Sequence, residues 1–223
     1  MLFAFFGLDW FTNIFSTNES SNNFSKSFMD MTVSPQMYAV HKWIEGYKQI
    51  AYYDTRGIVT VGIGITSFSN GKKPIYGVKY DENFLYNEYK IHIRDKVKSS
   101  RNLIYSWNLL MNVDQNLFDV IVDLHFQGYS QYRKDESKKA LSKGKANFAN
   151  WLLTPDGMWK QFWNPDNKSA YASRWGVLKR AYWRANWVMG INKSPQECES
   201  WLANYRSGKV QKPVFYDNPF PTY

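Results

Sequence analysis

A 22-residue run constrains this chain more than any other stretch: Glu45-Gly-Tyr-Lys-Gln-Ile-Ala-Tyr-Tyr-Asp54-Thr-Arg-Gly57-Ile-Val-Thr60-Val-Gly-Ile-Gly64-Ile-Thr66. Apolar or aromatic residues at Met37, Val40, Ile44 and Tyr47 recur at helical intervals, so a helix is expected over 34–47. Ser34-Pro35 supplies its start signal, a capping serine and a first-turn proline. Ile50 to Tyr53 then reads as a short strand, Asp54 to Gly57 as a tight turn, and Ile58 to Ile63 as the return strand. The chain therefore leaves a helix and enters a β-hairpin with a carboxylate at each junction.

That placement has chemical content. Glu45 sits in the last helical turn, near the negative end of the helix dipole. Asp54 opens the turn, and Ile58, Thr60 and Gly62 share one face of the return strand. Gly62 and Gly64 leave that strand bare, as a polymer lying close to the backbone would require. Two carboxyl groups facing each other across a groove are the minimum equipment for cleaving a glycosidic bond. The competing structural reading is simple: Asp-x-x-Gly turns between strands are common, and a glutamate at a helix end is commoner still.

The whole run resembles the signature of the phage-type lysozymes, the muramidases of tailed bacteriophages. In that family a glutamate-glycine pair is followed nine residues later by aspartate, six further by threonine, and then by Gly-x-Gly. Glu45, Gly46, Asp54, Gly57, Thr60, Gly62 and Gly64 match in register without a gap. The resemblance implies a mixed α+β lysozyme-like fold, with a small lobe carrying the β-hairpin packed beside a larger, mostly helical lobe. It implies hydrolysis of the β-1,4 bond between N-acetylmuramic acid and N-acetylglucosamine in peptidoglycan. Glu45 would be the general acid, Asp54 would stabilise oxocarbenium charge or orient a water, and Thr60 would help hold that water. With a water between carboxylate and sugar, the carboxyl separation would be about 6.5–9.5 Å and the product inverted. One departure is Ile65, where many members carry histidine.

Weaker matches follow in the family's order. Asp81 caps an expected helix to about Ser100, with Phe84, Leu85, Tyr89, Ile93 and Val97 as its apolar positions. The stretch from Val113 to Gly128 resembles the family's central buried helix, so Phe126 and Gln127 would bind substrate opposite Thr66. A core phenylalanine and a polar C-terminal cap are the plain alternative. Trp175-Gly-Val-Leu-Lys179-Arg180 resembles a late family helix, but the glutamate usual four residues on is Arg184 here. The expected organisation is an apolar arm and polar linker over 1–33, the lysozyme domain over 34–190, and a C-terminal extension over 191–223.

Composition agrees with this reading. The chain has 223 residues, 44% apolar, enough for one respectable core. Aromatic residues make up 18%, and tryptophans crowd the C-terminal half. Most of these suit core packing; one such as Trp163 would offer a flat face to a sugar ring. The net charge of +9 suits an anionic polymer such as peptidoglycan, or nucleic acid. Nucleic acid is set aside: there is no zinc-finger spacing, no RNA-recognition signature and no long basic helix. The only cysteine, Cys198, rules out a disulfide framework, and His41, His92 and His125 lie far apart without metal-ligand spacing. Neither cofactor nor metal is expected.

The ends carry the remaining expectations. Residues 1–15 are apolar but short, interrupted by Asp9, and lack the ~20 apolar residues of a full span. An arm packing on the enzyme's own surface competes with docking of residues 1–30 on a membrane surface or a phage structural protein. Pro213 to Tyr223 reads as an extended tail pinned by its aromatics. The setting would be the host cell wall or periplasm, or a phage virion. The rival readings are a lytic transglycosylase on the same fold, which uses the sugar's own hydroxyl, and a catalytically idle structural or wall-binding virion protein.

Overall fold

Ser34 opens helix α1 (Pro35–Glu45): its Oγ accepts the Met37 N–H at 3.3 Å, and Pro35 takes the first helical position. The structure, a computed structural model, describes residues 28–108, 113–128, 134–155, 157 and 171–217. Residues 1–27, which hold the apolar arm and most of its polar linker, Trp163 and the last six residues, 218–223, lie outside these. Two compact units divide the chain, Met1–Arg94 and Asp95–Tyr223.

In the first unit α1 ends at Gly46, whose φ of 78° is open to glycine and strained for other residues. Strand β1 (Lys48–Tyr53) follows and pairs antiparallel with β2 (Val59–Gly62), with Tyr52 opposite Thr60 and Tyr53 opposite Val59. Lys48 lies opposite Gly62, so the three residues between Lys48 and Tyr52 face Val61 alone. This bulge bends β1. Its outer edge pairs with residues 77–80, a partner the alternation pattern did not show: Ala51 N–H donates to Val78 O at 2.9 Å, and Tyr80 N–H to Gln49 O at 2.9 Å. Ala51, Val61, Ile65, Phe68 and Leu85 form the core beneath.

Gly62 and Gly64 have a different cause from the one the sequence suggested. Both have positive φ, 61° and 76°, because the chain reverses sharply between Val61 and Ile65, which exchange two backbone hydrogen bonds of 2.9 Å. A Cβ at Gly62 would meet Leu85 and Ile65 in the core at 3.4–3.5 Å. Gly62 therefore faces packing, and turn geometry explains the pair.

Helix α2 (Glu82–Trp107) begins at Asp81, whose Oδ1 accepts the Phe84 N–H at 3.0 Å. Leu85, Tyr89, Ile93 and Val97 are buried as the spacing requires, while Phe84 is exposed. The helix runs past Ser100 because Leu103, Ile104 and Trp107 continue the buried stripe. The boundary between the two units falls inside it.

The second unit is helical: α3 (Gln115–Phe126), α4 (Lys134–Leu141), α5 (Lys145–Leu152), α6 (Tyr171–Val188) and α7 (Pro195–Arg206). Asp114 caps α3 by accepting the Leu117 N–H at 3.0 Å, and residues 117–124 are all buried. Asp123, fully buried on α3, accepts from Arg180 Nε at 3.0 Å and from Arg184 Nε at 2.6 Å, both on α6; Arg180 Nη2 closes the first pair into a bidentate one. Arg184 is thus a buried ion-pair partner in this chain. Helix α7 starts with a Ser194–Glu197 capping box and packs on α6 through Tyr182 and Trp201, stacked 4.0 Å apart. Burial pushes the Cys198 thiol of α7 up to about 12, so the thiolate nucleophile is not populated near neutrality.

The described part of the tail, 211–217, forms neither helix nor strand, and hydrogen bonds hold it. Asn150 on α5 donates to Phe215 O and accepts its N–H, each at 2.8 Å, while Tyr216 remains 79% exposed. Asp217 accepts the Ala146 N–H at 2.9 Å, filling the capping role that Gly144 has no side chain to perform. Replacing Asp123 with alanine would leave two guanidinium groups buried without their carboxylate. We expect Asp123→Ala to cost about 3–5 kcal/mol in urea unfolding.

Candidate active site

One six-residue strand sets the spacing of the carboxylates. Glu45 is the last residue of α1 and Asp54 directly follows β1, so the two flank the strand. Glu45 is exposed. Asp54 keeps 18% of its side chain exposed and acts as the pin of the hairpin. Its Oδ1 accepts backbone N–H groups from Arg56 at 2.8 Å and Ile58 at 2.9 Å, and its Oδ2 meets the Arg56 guanidinium at 3.0 Å. Gly57, at φ 75°, closes the turn by donating to Asp54 O at 3.0 Å. The Ile58 N–H first, and then Arg56, hold the Asp54 carboxyl below its ordinary value, so it is ionised across the physiological range.

Thr60 is buried on β2 and donates its hydroxyl proton to Ile58 O at 3.0 Å. With that proton engaged, its oxygen has acceptor capacity left. Thr66 is half-buried, just past the Val61–Ile65 reversal. Glu45, Asp54, Thr60 and Thr66 all belong to the first unit.

The sequence reading missed the residue that anchors this region. Glu82, the first residue of α2, accepts from Lys42 Nζ at 2.8 Å, Tyr38 OH at 3.2 Å, Gln49 Nε2 at 3.2 Å and Tyr47 OH. Lys42 precedes Glu45 and Tyr47 follows it, so one carboxylate ties down the chain on both sides of Glu45. Burial works against the Glu82 charge, but Lys42 and the tyrosine hydroxyls outweigh it and hold the pKa below the usual value. Burial, reinforced by Glu82, pushes the Tyr38 and Tyr47 hydroxyls upward, so both remain donors. Glu88, buried on α2, does similar work for the loop after Thr66, accepting from Ser69 N at 2.7 Å and Ser69 Oγ at 2.8 Å. In sequence, both glutamates look like ordinary helix-surface charges.

Phe126 and Gln127, in the second unit, stand at the end of α3 and are half-buried. Arg184 Nη2 donates to Gln127 Oε1 at 2.7 Å, fixing which end of the amide points inward. Among the described residues no three His, Cys, Asp or Glu side chains cluster as metal ligands would. His41 pairs with Tyr89 OH at 3.0 Å, and His125 with Ser100 Oγ at 2.8 Å.

A hairpin unit with one carboxylate before its first strand and another after it, together with a helical second unit, makes this an α+β chain of lysozyme-like fold. No protein-family model and no curated protein matches it. Among solved structures, an endolysin from a phage of Escherichia coli O157:H7, FAHEc1, matches with a TM-score of 0.53 at 17% identity, over 74% of this chain and 98% of that one. A mutant of P22 lysozyme gives 0.49 at 20% identity, over 71% and 99%.

The depressed Glu82 pKa has a sign. Its ionised partnership contributes stability that is complete above the ordinary value of 4.5 and lost as pH falls through the lower folded value. Thermal unfolding of wild type and Glu82→Gln across this range should show an advantage for the wild type near neutrality that shrinks only below pH 4.5.

Proposed function

We propose that this chain is a peptidoglycan hydrolase of the muramidase type, cleaving the β-1,4 bond between N-acetylmuramic acid and N-acetylglucosamine. The observation that carries this is the pair Glu45 and Asp54 at the two ends of β1, one exposed at a helix terminus, the other held ionised by its own turn. The lysozyme-like fold supports it. Glu45 is the general acid that protonates the leaving glycosidic oxygen. Asp54 faces the developing oxocarbenium charge as an anion; because Oδ1 is committed to the turn, its position is set by backbone rather than by rotamer freedom. Thr60, its proton given to Ile58 O, accepts a hydrogen bond from the attacking water and leaves an oxygen lone pair aimed at the sugar carbon. Thr66, in the same unit as Glu45 and Asp54, holds the glycan strand. The same chemistry serves host lysis and wall penetration by a virion.

The test is digestion of purified Gram-negative peptidoglycan followed by mass spectrometry. Wild type should release reducing muropeptides and Glu45→Gln should release none, with an unchanged melting temperature because the swap is isosteric and exposed. Anhydro-muropeptides would move the enzyme to the lytic transglycosylases. Activity retained by Glu45→Gln would remove the assignment, and no cleavage by either protein would leave a structural role.

A second expectation concerns pH. Since Asp54 must be ionised and its pKa is depressed, the acidic limb of kcat/KM due to this group should lie below pH 3.8. Arg56→Ala, which removes one of the groups holding that charge, should move the limb upward.

A further inference from the structure

We propose that the outer edge of β1 and the segment paired with it form a docking surface for an anionic phospholipid bilayer. Thirteen large apolar side chains are exposed among the described residues, and six of them fall between residues 50 and 78: Ile50, Tyr53, Ile58, Ile75, Tyr76 and Val78. Five are brought together by pairing rather than by sequence. Ile50 lies opposite Lys79, Ala51 exchanges backbone hydrogen bonds with Gly77 and Val78, and Tyr53 stacks on Tyr76 with centroids 4.7 Å apart. Ala51 points into the core while its neighbour Ile50 stays 54% exposed, and Ile75 is 65% exposed. An exposed apolar edge of this kind, on a hairpin that packs a core through Ala51 and Val61, is unusual for a free surface.

The charge around it selects the partner. From residue 45 to 81 the basic side chains are Lys48, Arg56, Lys72, Lys73 and Lys79, all exposed, against three acidic ones: Glu45 and Asp81 at the two ends, and Asp54, which Arg56 already engages. A glycan would use the tyrosine faces but gains nothing from the exposed aliphatic side chains of Ile50, Ile75 and Val78. An anionic bilayer uses every part: aliphatic groups enter the acyl boundary, tyrosines sit at headgroup level, and lysines reach the phosphates. Among the described residues no helix is long and apolar enough to cross a membrane, so the contact is adsorption. This surface does not rest on the glycosidase reading, and lipid vesicles contain no glycan, so the two can fail separately.

The experiment is co-sedimentation of the full chain with vesicles of phosphatidylglycerol and phosphatidylethanolamine, and with neutral phosphatidylcholine vesicles. Wild type should prefer the anionic vesicles. Ile50→Ser combined with Ile75→Ser should weaken that binding about tenfold with little change in melting temperature, both side chains being exposed. Lys72→Glu combined with Lys73→Glu should abolish the preference for anionic over neutral lipid, each lysine near such a surface being worth about fivefold. Absence of vesicle binding, equal binding to both lipid types, or wild-type binding by both variants would overturn the proposal; the last outcome would place the contact elsewhere on the chain. Loss of sedimentation with insoluble peptidoglycan, with vesicle binding intact, would make the strip a glycan surface instead.

Discussion

The Glu82 carboxylate is the constraint on which the first unit depends. Four donors from α1, the link after it and β1 converge on one side chain at the start of α2. Each hydrogen bond alone is modest, but the donors come from three successive segments, which ring contacts of Tyr47 with Tyr38 and Lys42 also hold together. Charge assistance roughly doubles the strength of such bonds, and partial burial spares them from solvent screening. Because Lys42 and Tyr47 are among the donors, the angle at which α1 hands over to β1 is fixed from both sides. The position of Glu45 is therefore a tertiary property, set by a residue thirty-seven positions away.

The second unit solves a harder electrostatic problem. Asp123 is fully buried and meets two guanidinium groups on α6. Burying charges costs several kcal/mol per ion, so such a cluster is weak evidence for stability and better evidence for a unique arrangement. Its geometry is specific: Arg180 grips both carboxylate oxygens, while Arg184 divides its donors between Asp123 and Gln127. A one-turn slip of α6 against α3 would leave charge unmatched in the interior. Register is what the cluster enforces, and Gln127 inherits its orientation from it.

Much of this was legible in the sequence, and the exceptions have physical reasons. Helix starts at Ser34 and Asp81 could be read because capping is local, as could the hairpin turn from Asp54 to Gly57. The buried face of α2 followed from periodicity, and the burial of α3 from the family resemblance. What escaped was long-range pairing. The strand partner at residues 77–80 was hidden by Gly77 and by the brevity of the segment, and Glu82 and Glu88 look like solvated charges until their partners are in place. Gly62 and Gly64 were noticed, but their role in a chain reversal was not, since spacing alone does not separate a bare strand from a turn. Arg184, unusual against the family pattern, found a carboxylate on a different helix. The tail was read as aromatic-pinned; in its described part the Asn150 side chain holds the Phe215 backbone, and the Asp217 carboxylate accepts the Ala146 N–H.

The buried thiol of Cys198 has a use beyond its inertness. It lies on α7, closed off by the packing of that helix on α6, and is the chain's only cysteine. Reaction with a thiol reagent requires that this packing open first, so the labelling rate is a native-state clock for one helix pair. No tag needs to be introduced and no background from a second sulfhydryl has to be subtracted. The chain thus carries a chemical reporter of its C-terminal breathing, silent while α7 is seated and audible when it lifts.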